Sequence, residues 1–347
     1  MIIFLPFKKE LNTYLDEIQR YSQYTFVYEN YKKYTATYNI VNVHWPEAIF
    51  DWFEPTDEQL ADLRNEINKW KKNSVLIYTK HDVERHKGMT PNFTKLFELI
   101  EQNTDVFIHL GNYSKEYYQE KYPNATHKIV FHPLYENSFM ISSKSEAREK
   151  LNIDQEALVI ISPGSIRNFA ERNLVISSFK KLKVKNKVLI ATNMRSEIKY
   201  DFRGRVKLKK FFDIRSYFVN RFKNNHQPPR FIFSYNRINA NEMALKMSAA
   251  DIVLIPRIKI LNSGNLFLGL TFNKIVVGPA TGNIEEQLNL LRLPVFDSNS
   301  ISSVTQAIEK GIVLNNSGYV IPNKDLSKFK PENVAKDMDF IFAEFIQ

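Results

Sequence analysis

Short apolar runs alternate with longer amphipathic segments along most of the chain, and this alternation predicts its secondary structure. Short apolar runs are typical of parallel strands buried on both faces, whereas apolar residues spaced three or four apart indicate helices. The predicted strands are 1–5, 38–43, 74–78, 106–110 and 128–131, then 158–162, 187–191, 230–234, 252–255 and 274–278. The predicted helices are 11–20, 57–72, 92–101, 145–151, 173–182, 241–249, 266–272 and 331–346, with one more after residue 283. Strands that alternate with helices predict an α/β fold with parallel sheets and right-handed crossovers.

The chain is long enough for two domains of this kind. It has 347 residues, of which 44% are hydrophobic, and a domain typically holds about 50–250 residues. We predict an N-terminal domain over 1–135, a second domain over 136–330 and a C-terminal helix over 331–347. The apolar residues of that helix lie on roughly one side, which indicates one buried face: Val334, Met338, Ile341, Phe342 and Phe345.

Polar and small residues gather where the predicted strands end. Residues 44–47 (HWPE), 81–82 (HD) and 111–112 (GN) each follow a strand of the first half, and 262–265 (NSGN) and 280–283 (ATGN) each separate a strand from a helix. Ligands of parallel α/β sheets bind at the carboxyl ends of the strands. Free N–H groups and the dipole of a helix N-terminus attract anions. The pattern therefore predicts an anion-binding site at the carboxyl ends of the strands, where loops such as 262–265 and 280–283 lead into helices.

These strand ends resemble those of GT-B glycosyltransferases, in the GT4-like group and its bacterial capsule and exopolysaccharide branch. The motifs lie between about residues 38 and 290: HWPE at 44–47, TKHD at 79–82, HPLY at 132–135, GSIRNFAERN at 164–173 and LNSG at 261–264. The resemblance implies two Rossmann-like, doubly wound domains that face each other across a cleft. It also implies transfer of a sugar from a nucleotide-diphosphate donor to a saccharide or lipid-linked acceptor, with no metal or other cofactor. In this family the final helix often crosses back to the N-terminal domain.

The resemblance places the donor diphosphate in the second domain. Arg167 is expected to bind it, with Arg172 in place of a lysine that the family often has nearby, and the N–H groups of Ser263, Gly264 and Asn265 complete the site. A Cβ at Gly264 would hinder close approach of a phosphate to the backbone. The alternatives are that Ser263 and Gly264 only cap a helix, and that Arg172 only pairs with a neighbouring glutamate.

The base and sugar of the donor are expected at two further loops. Arg237 and Ile238 lie where the family cradles the base, and Asn283 and Glu285 lie where it contacts the donor sugar. These assignments have ordinary structural alternatives. An arginine in a loop is often only solvated, and a glutamate is favoured in the first turn of any helix.

The acceptor side holds the candidates for catalysis. His81 and Asp82 are the first choice and His44 the second, with Glu47 and His86 nearby in sequence. In an inverting enzyme one of them acts as general base on the acceptor hydroxyl, and in a retaining enzyme a histidine would hold the donor sugar. A histidine at a strand end can equally be a structural hydrogen-bonding residue. The spacing of His81 and His86 does not suit a zinc site.

One departure from the family keeps other functions open. Many members carry two glutamates eight residues apart across the donor loop, and the matching positions here are Leu261 and Gly269. A non-catalytic GT-B-like protein that binds a nucleotide or sugar is therefore the second hypothesis, and a nucleotide-sugar epimerase is the third. The sequence leaves open the sugar, the base, the acceptor and the anomeric outcome.

The net charge of +10 is concentrated in one segment. Residues 200–230 combine many Lys and Arg with five phenylalanines, and four apolar residues share a helical face there: Phe211, Ile214, Phe218 and Phe222. A helix at an anionic membrane surface and an ordinary surface helix both fit this pattern. Nucleic acid is not expected, because no recognised binding motif accompanies these residues. Lys80 and Lys87 are expected to attract a phosphate-bearing acceptor.

Composition narrows the cellular setting. The sequence has no cysteine, so it forms no disulfide and offers no thiol nucleophile. No apolar run approaches the roughly 20 residues that span a membrane, and the first residues do not resemble a secretory signal. We expect a cytoplasmic protein, either free or peripheral on the inner face of the membrane.

Overall fold

The computed structural model describes residues 1–10, 12–85, 88–197 and 214–345, with the backbone alone at 214 and 215. Within these ranges the chain forms two six-stranded sheets, and every pair of adjacent strands is parallel. Helices flank both sheets. The architecture is therefore the two-domain α/β arrangement that the alternating pattern predicts.

The first sheet has the strand order β2-β1-β3-β4-β5-β6. Its strands are β1 Ile2–Leu5, β2 Thr25–Tyr28, β3 Ile40–Val43, β4 Val75–Lys80, β5 Val106–His109 and β6 Thr126–Ile129. Its helices are α1 Thr13–Tyr21, α2 Asp57–Asn73, α3 Pro91–Asn103 and α4 Asn112–Lys121, with 3₁₀ turns at Tyr31–Lys33 and Pro46–Phe50.

The second sheet has the strand order β12-β11-β10-β7-β8-β9. Its strands are β7 Leu158–Ser165, β8 Lys187–Asn193, β9 Phe231–Phe233, β10 Ile252–Leu254, β11 Ile275–Pro279 and β12 Val295–Phe296. The helices from here to the end are α5 Lys144–Lys150, α6 Phe169–Lys181, α7 Ile214–Asn224, α8 Ala240–Ala249, α9 Gly264–Thr271, α10 Gly282–Leu290, α11 Ile301–Asn316, α12 Asn323–Leu326 and α13 Pro331–Glu344, with a 3₁₀ turn at Ser327–Phe329.

Each sheet contains a point where the strand order reverses. In the first sheet this point lies between β1 and β3, and in the second it lies between β7 and β10. The loops that leave the two strands at such a point run in opposite directions and open a crevice at the carboxyl edge of the sheet. The chain therefore offers two crevices for ligands, one in each domain.

Some elements do not show in the hydrophobic pattern. The strand β2 lies at an edge and buries none of its residues fully, so it lacks an apolar run. The strand β12 has only two residues. The helix α4 buries only Ser114 and Tyr118, which is too narrow a face to indicate a helix. The helix α11 is not among the predicted helices, although its apolar residues recur at helical spacing.

The C-terminal helix α13 packs on the first domain. Its buried residues join the same core cluster as Ile3 and Leu5 of β1: Val334, Ala335, Met338, Ile341 and Phe342. It also contacts α1, and the carboxylate of Asp339 accepts a hydrogen bond from the Gln23 N–H at 2.8 Å. The chain thus leaves the second domain and returns to complete the core of the first.

Two phenylalanines of α13 test this packing. The side chain of Phe342 is fully buried, whereas Phe340 is 67% exposed. We expect Phe342→Ala to lower the free energy of unfolding of the first domain by about 3–5 kcal/mol, and Phe340→Ala to change it by less than about 0.5 kcal/mol. All three tryptophans, Trp45, Trp52 and Trp70, lie in this domain, so tryptophan fluorescence during urea unfolding reports on it directly. Equal effects of the two substitutions would contradict this account.

Candidate active site

A cavity of about 400 Å³ lies between the carboxyl edges of the two sheets. It is lined on one side by Trp45, His81, Asp82 and His132, and on the other by Arg167, Arg257 and residues 262–265. The second group follows β7 and β10, the two strands between which the order of the second sheet reverses. The cavity therefore occupies the crevice in which parallel α/β sheets bind ligands.

Two arginines supply the positive charge of the cavity. Arg257 is only 4% exposed, and its Nη1 donates to Oε2 of Glu171 at 2.7 Å. The same carboxylate oxygen accepts the backbone N–H of Arg167 at 2.7 Å. Burial lowers the pKa of Arg257 to about 10, and Glu171 opposes that shift, so the guanidinium stays charged at neutral pH. Glu171 thus holds both arginine segments at the cavity wall.

The N-terminus of α9 faces the same cavity. Ser263 is the N-cap residue, and its side chain forms no capping hydrogen bond within the described chain. The first N–H groups of a helix have no partner inside the helix, so this end is open to an anion. The side chain of Asn265 donates to the carbonyl of Pro163 at 2.8 Å, which ties the start of α9 to the loop that carries Arg167.

The packing of the chain also requires glycine at position 264, where the sequence analysis expected glycine for close approach of a phosphate. A Cβ built there would lie 2.6 Å from the hydroxyl oxygen of Tyr135, well inside any normal contact. Tyr135 also interacts with His132, whose Nε2 lies 3.3 Å from its hydroxyl. Glycine is therefore required here by the packing of the interdomain segment against α9.

Three histidines form a buried aromatic cluster behind the cavity. Nδ1 of His44 lies 3.0 Å from Nε2 of His81, and the ring of Trp45 stacks on His81 with the centroids 4.5 Å apart. The edge of Tyr14 meets both His81 and His132 at centroid distances of 4.7 and 4.9 Å. Burial lowers the pKa of His44 to about 3 and of His132 to about 4, and it lowers the pKa of His81 well below its usual value. All three rings are neutral at physiological pH.

His132 also contacts α9 of the second domain. Its ring stacks on Phe267 of α9 with the centroids 4.2 Å apart. Its Nδ1 lies 2.8 Å from the carbonyl of Pro133, which fixes the proton on Nδ1 and leaves Nε2 as an acceptor. This residue thus joins the segment between the domains to the helix whose N-terminus faces the cavity.

Asp82 is the cavity carboxyl whose ionisation lies nearest neutrality. Burial raises its pKa to about 7, the nearby charge of Arg167 opposes that rise, and Glu47 adds to it. Glu47 is itself buried, and burial raises its pKa as well, although Arg85 and Lys80 counteract it. A carboxyl group with a pKa near 7 is suited to accept a proton during catalysis.

A chain of buried amides connects the two domains beside the cavity. Asn262 donates to the carbonyl of His81 at 2.6 Å, and its own Oδ1 accepts from Asn283 at 2.8 Å. The Oδ1 of Asn283 accepts the backbone N–H of Ser114 at 3.0 Å. Asn283, expected to contact the donor sugar, is therefore placed in the contact between the domains and not on the cavity wall.

The start of α4 is capped by side chains of the other domain. The N-cap of α4 is Gly111, which offers no side chain of its own. Glu286 of α10 accepts from the side chain of Asn112 at 2.6 Å and from the backbone N–H of Tyr113 at 3.1 Å. Together with Asn283, it satisfies backbone donors that the first turn of α4 leaves free. The first turn of α4 is thus capped by side chains of the second domain.

The structure brings most of the predicted residues together. His81, Asp82, Arg167 and the 262–265 loop line one cavity, and His44 lies directly behind His81. His86 and Lys87 lie outside the described residues, as do 198–213 of the basic segment. Of that segment's apolar face, Phe222 packs against the core of the second domain, as in an ordinary surface helix. In the described chain, no helix is both long and apolar enough to cross a bilayer.

Arg172 is placed away from the cavity. Its guanidinium donates to the carbonyls of Arg195 at 3.1 Å and Glu197 at 2.7 Å. It also lies over the rings of Phe169 and Phe222, at 4.8 and 4.7 Å from their centroids. These contacts give Arg172 a structural role on α6, and the second arginine of the cavity is Arg257.

Other predicted residues also lie apart from the cavity lining. Arg237 is exposed and Ile238 half-buried in the loop after β9, and Glu285 is half-buried in the first turn of α10. Lys80 is fully buried and pairs with Glu101 at 2.6 Å. Lys80 is therefore unavailable to attract an acceptor phosphate, which corrects the sequence-based expectation.

The sequence analysis missed Arg257, His132 and Trp45 as cavity residues. Each follows a predicted strand end: Trp45 after 38–43, His132 after 128–131 and Arg257 after 252–255. The rule that ligands bind at these ends would have identified all three. The two positions that carry glutamates in the family offer no carboxylate here: Leu261 is buried, and a Cβ at Gly269 would lie 2.5 Å from the side chain of Val276.

The comparisons with known proteins address the fold. No protein-family model matches the sequence, and no curated protein was found to match it. A glycosyltransferase from Rickettsia africae ESF-5 is 11% identical over 99% of this chain and 98% of its own, with a TM-score of 0.66. Anabaena Alr3699/HepE in complex with UDP and glucose is 11% identical over 99% of both chains, also with a TM-score of 0.66. Sucrose-phosphate synthase from Thermosynechococcus elongatus is 11% identical over 90% of this chain and 75% of its own, at 0.64. At such identities the likeness shows the fold, which is that of the GT-B glycosyltransferases.

The described residues offer no metal site. Among residues 1–10, 12–85, 88–197 and 214–345, no three His, Cys, Asp or Glu side chains gather in an arrangement that would hold a metal ion. The charged groups that face the cavity are instead Arg167, Arg257 and Asp82.

The raised pKa of Asp82 predicts a pH-dependent cost in stability. Because the folded-state pKa of about 7 lies above the ordinary value of 3.8, ionising Asp82 destabilises the fold increasingly as pH rises from about 4 to 7. Asp82→Asn removes this pH-dependent destabilisation. We expect the stability of the variant relative to the wild type to increase across that range, by a few kcal/mol at most, since one pKa unit corresponds to about 1.4 kcal/mol. Urea unfolding at pH 4.5, 6 and 8 measures the difference, and a difference independent of pH would contradict the shifted pKa.

Proposed function

We propose that the protein is a glycosyltransferase that takes its sugar from a nucleoside-diphosphate donor bound in the cavity between the domains. The observation that carries the proposal is the meeting of two chemistries in one space of about 400 Å³. One domain contributes two arginines and a helix N-terminus, which suit a diphosphate. The other contributes Asp82 beside neutral histidines, which suits a proton acceptor. The complexes of HepE with UDP and glucose and with UDP-glucose support the same class of donor.

The donor diphosphate would lie between the two arginines and the start of α9. Negative charge develops on the diphosphate as the bond from the sugar breaks, and fixed positive charge and aligned N–H groups stabilise it. Arg167 and Arg257 supply the charge, and the backbone N–H groups of Ser263, Gly264 and Asn265 supply the dipoles. We propose that these groups take the place of a metal ion. Arg237 and Ile238, at the carboxyl end of β9, are our proposal for the base.

We assign Asp82 as the group that accepts the proton of the acceptor hydroxyl. The bond from the sugar to the diphosphate oxygen breaks, the acceptor oxygen forms the new bond to that carbon, and the hydroxyl proton passes to the carboxylate. A pKa of about 7 lets Asp82 be ionised before the reaction and still bind a proton well during it. His81, neutral and held by His44, would orient a sugar hydroxyl beside it.

We also propose a family branch, a class of acceptor and a cellular location for the enzyme. The HWPE and LNSG segments favour the bacterial capsule and exopolysaccharide branch of the GT4-like enzymes, whose acceptor would be a saccharide, free or carried on a lipid. An enzyme that acts at the inner face of a membrane would reach such an acceptor. The excess of basic residues between 200 and 230 supports peripheral contact with an anionic surface.

A second candidate function is binding without transfer. The observation that favours it is the absence of a carboxylate at Leu261 and Gly269, where the family often has its glutamate pair. In that case the cavity would bind a nucleotide or a sugar, and Asp82 would titrate without a catalytic effect. Nucleotide binding alone does not separate the two candidates, so nucleotide binding and sugar transfer need separate measurements.

Two arginines five residues apart provide a matched test of donor binding. We expect UDP, or one other member of a panel of GDP, ADP, CMP and dTDP, to raise the Tm of the wild type, because a ligand of the folded state stabilises it. Arg167→Met should weaken that binding by about 10- to 100-fold through loss of a charged hydrogen bond. Arg172→Met should lower the Tm without ligand and leave the nucleotide response intact, since the contacts of Arg172 within the described chain are with carbonyls and aromatic rings. A well-folded wild type that responds to none of the nucleotides would refute the proposed donor site.

A pH profile tests the role of Asp82. We expect kcat/KM for sugar transfer to rise through about pH 7 as Asp82 ionises, and Asp82→Asn to lower it by about 10²- to 10⁴-fold. Nucleotide affinity of the variant should be unchanged or tighter, because a negative charge near the diphosphate has been removed. A variant that keeps both the rate and the pH dependence would show that Asp82 is not the base, and an active wild type would exclude the binding-only candidate.

A further inference from the structure

A second groove lies at the point where the strand order of the first sheet reverses. It is formed by the loop after β1 and by the segment after β3: Phe7, Lys8, Glu10, Trp45, Asp51 and Trp52. It encloses only about 20 Å³, which is too little for a sugar ring or a base. A ligand there would lie across the rim of the groove, against the side chains that form it.

Trp45 belongs to both the groove and the cavity. One face of its ring stacks on His81, and the ring of Phe7 meets its edge at a centroid distance of 6.3 Å. Phe7 in turn meets Tyr28 at 5.7 Å. A continuous row of aromatic rings therefore leads from the cavity wall to the surface of the first domain.

Two exposed aromatic side chains lie on the segment that forms the groove. Trp52, which lines the groove, is 39% exposed, and Phe53, the next residue, is 75% exposed, although the 3₁₀ turn Pro46–Phe50 just before this segment is buried. Large aromatic side chains that remain at a surface beside a groove often mark a contact with a ligand or partner.

The backbone that presents them is held in an unfavourable conformation. Asp51 has φ 52° and Trp52 has φ 68°, and a left-handed conformation costs roughly 1–2 kcal/mol for each residue that is not glycine. The turn is held by hydrogen bonds from the Trp52 N–H to the Glu47 carbonyl at 2.9 Å and from the Asp51 N–H to the Ala48 carbonyl at 3.1 Å. An aromatic residue kept where glycine would be more stable points to a function for its side chain.

The polar groups around these rings suit a sugar. Asp51 pairs with Lys8 at 2.7 Å on the exposed rim, and the side chain of Glu10 is exposed beside the groove. Carboxylates accept hydrogen bonds from hydroxyl groups, while the apolar face of a pyranose ring packs against an aromatic ring. The two acids outnumber the lysine by one, so this rim does not favour a phosphate or another strongly anionic group.

We propose that this groove is a second saccharide subsite, which binds the sugar residue next to the one that is glycosylated. The proposal rests on the proposed function, and it defines the acceptor class: an oligosaccharide of at least two residues and not a monosaccharide. The terminal residue lies at Asp82 in the cavity, Trp45 separates the two positions, and the penultimate residue stacks on Trp52 with Phe53 beside it.

The left-handed backbone of Trp52 makes Trp52→Gly the most informative variant. Glycine relieves the strain, so we expect the Tm to stay level or rise while saccharide affinity falls by about tenfold, which corresponds to losing an aromatic contact worth about 1.4 kcal/mol. Trp52→Phe should retain most of the affinity. Phe340→Ala, an exposed aromatic on α13, is the control and should leave both quantities unchanged.

The full chain, saturated with the nucleotide that raises its Tm, is applied to an array of immobilised mono-, di- and tetrasaccharides. The affinity for each saccharide that binds is then measured by tryptophan fluorescence titration. We expect the wild type to bind di- and tetrasaccharides at least tenfold more tightly than their monosaccharides, and Trp52→Gly to reduce that preference. Equal affinity for mono- and oligosaccharides, no effect of Trp52→Gly, or no saccharide bound by a wild type that binds nucleotide would each overturn the subsite. Failure of every nucleotide to bind would instead overturn the proposed function, and the two failures are thus distinguishable.

Discussion

One buried side chain, that of Asn283, lies at the centre of the hydrogen-bonded contact between the two domains. Its amide oxygen accepts the N–H of Ser114 in the first turn of α4, and its nitrogen donates to the hydroxyl of Ser114 and to Asn262. A buried amide left without partners costs about 1–3 kcal/mol for each group, so the two domains are favoured in the relative position that satisfies it. Gly111 permits the approach, because a Cβ there would lie 2.7 Å from the Asn283 side chain. Asn262, held in the same chain of bonds, then fixes the carbonyl of His81 against the donor loop. The geometry of the cavity therefore follows from the way α4 is capped.

This arrangement turns the two reversal points of the sheets toward one another with different chemistry. The crevice of the second sheet is cationic, with Arg167, Arg257 and the N-terminus of α9. The crevice of the first sheet is aromatic, with Trp45 at its inner end and Trp52 at the surface. Charge suits a phosphate and aromatic rings suit a sugar, so the same rule of sheet topology would position the two proposed ligands. Trp45 lines both the cavity and the groove, and its ring stacks on His81.

The strand ends were predictable from the sequence, and the orientation of single side chains beyond them was only partly so. Parallel strands bring their carboxyl ends to one edge of a sheet, so Arg167 and the 262–265 loop could be expected together. His81 belongs to the other sheet, and only the resemblance to two domains that face each other across a cleft placed it near them. Lys80 and His81 are adjacent, and neighbouring residues at the end of a strand point to opposite faces, which would have predicted that Lys80 faces the core against Glu101. Arg167 and Arg172 could not be separated in this way, because a turn and a helix start between them and only the fold shows which one faces the cavity. Asn283 was misplaced because its partners, Ser114 and Asn262, come from distant parts of the chain.

Around the cavity, four buried polar atoms have no hydrogen-bond partner within the described chain: the hydroxyl of Tyr14, Nε2 of His44, Oε2 of Glu47 and Nε of Arg257. Native proteins satisfy nearly all buried polar groups, so each of these atoms is a place where an apolar residue would serve stability better. The left-handed backbone at Trp52 is a further departure of the same kind. Local rules are broken mostly where function requires it, and here the departures surround the cavity and the groove that opens beside it. Stability alone does not account for these residues, and a polar ligand in the cavity would give Nε of Arg257, which lines it, a hydrogen-bond partner.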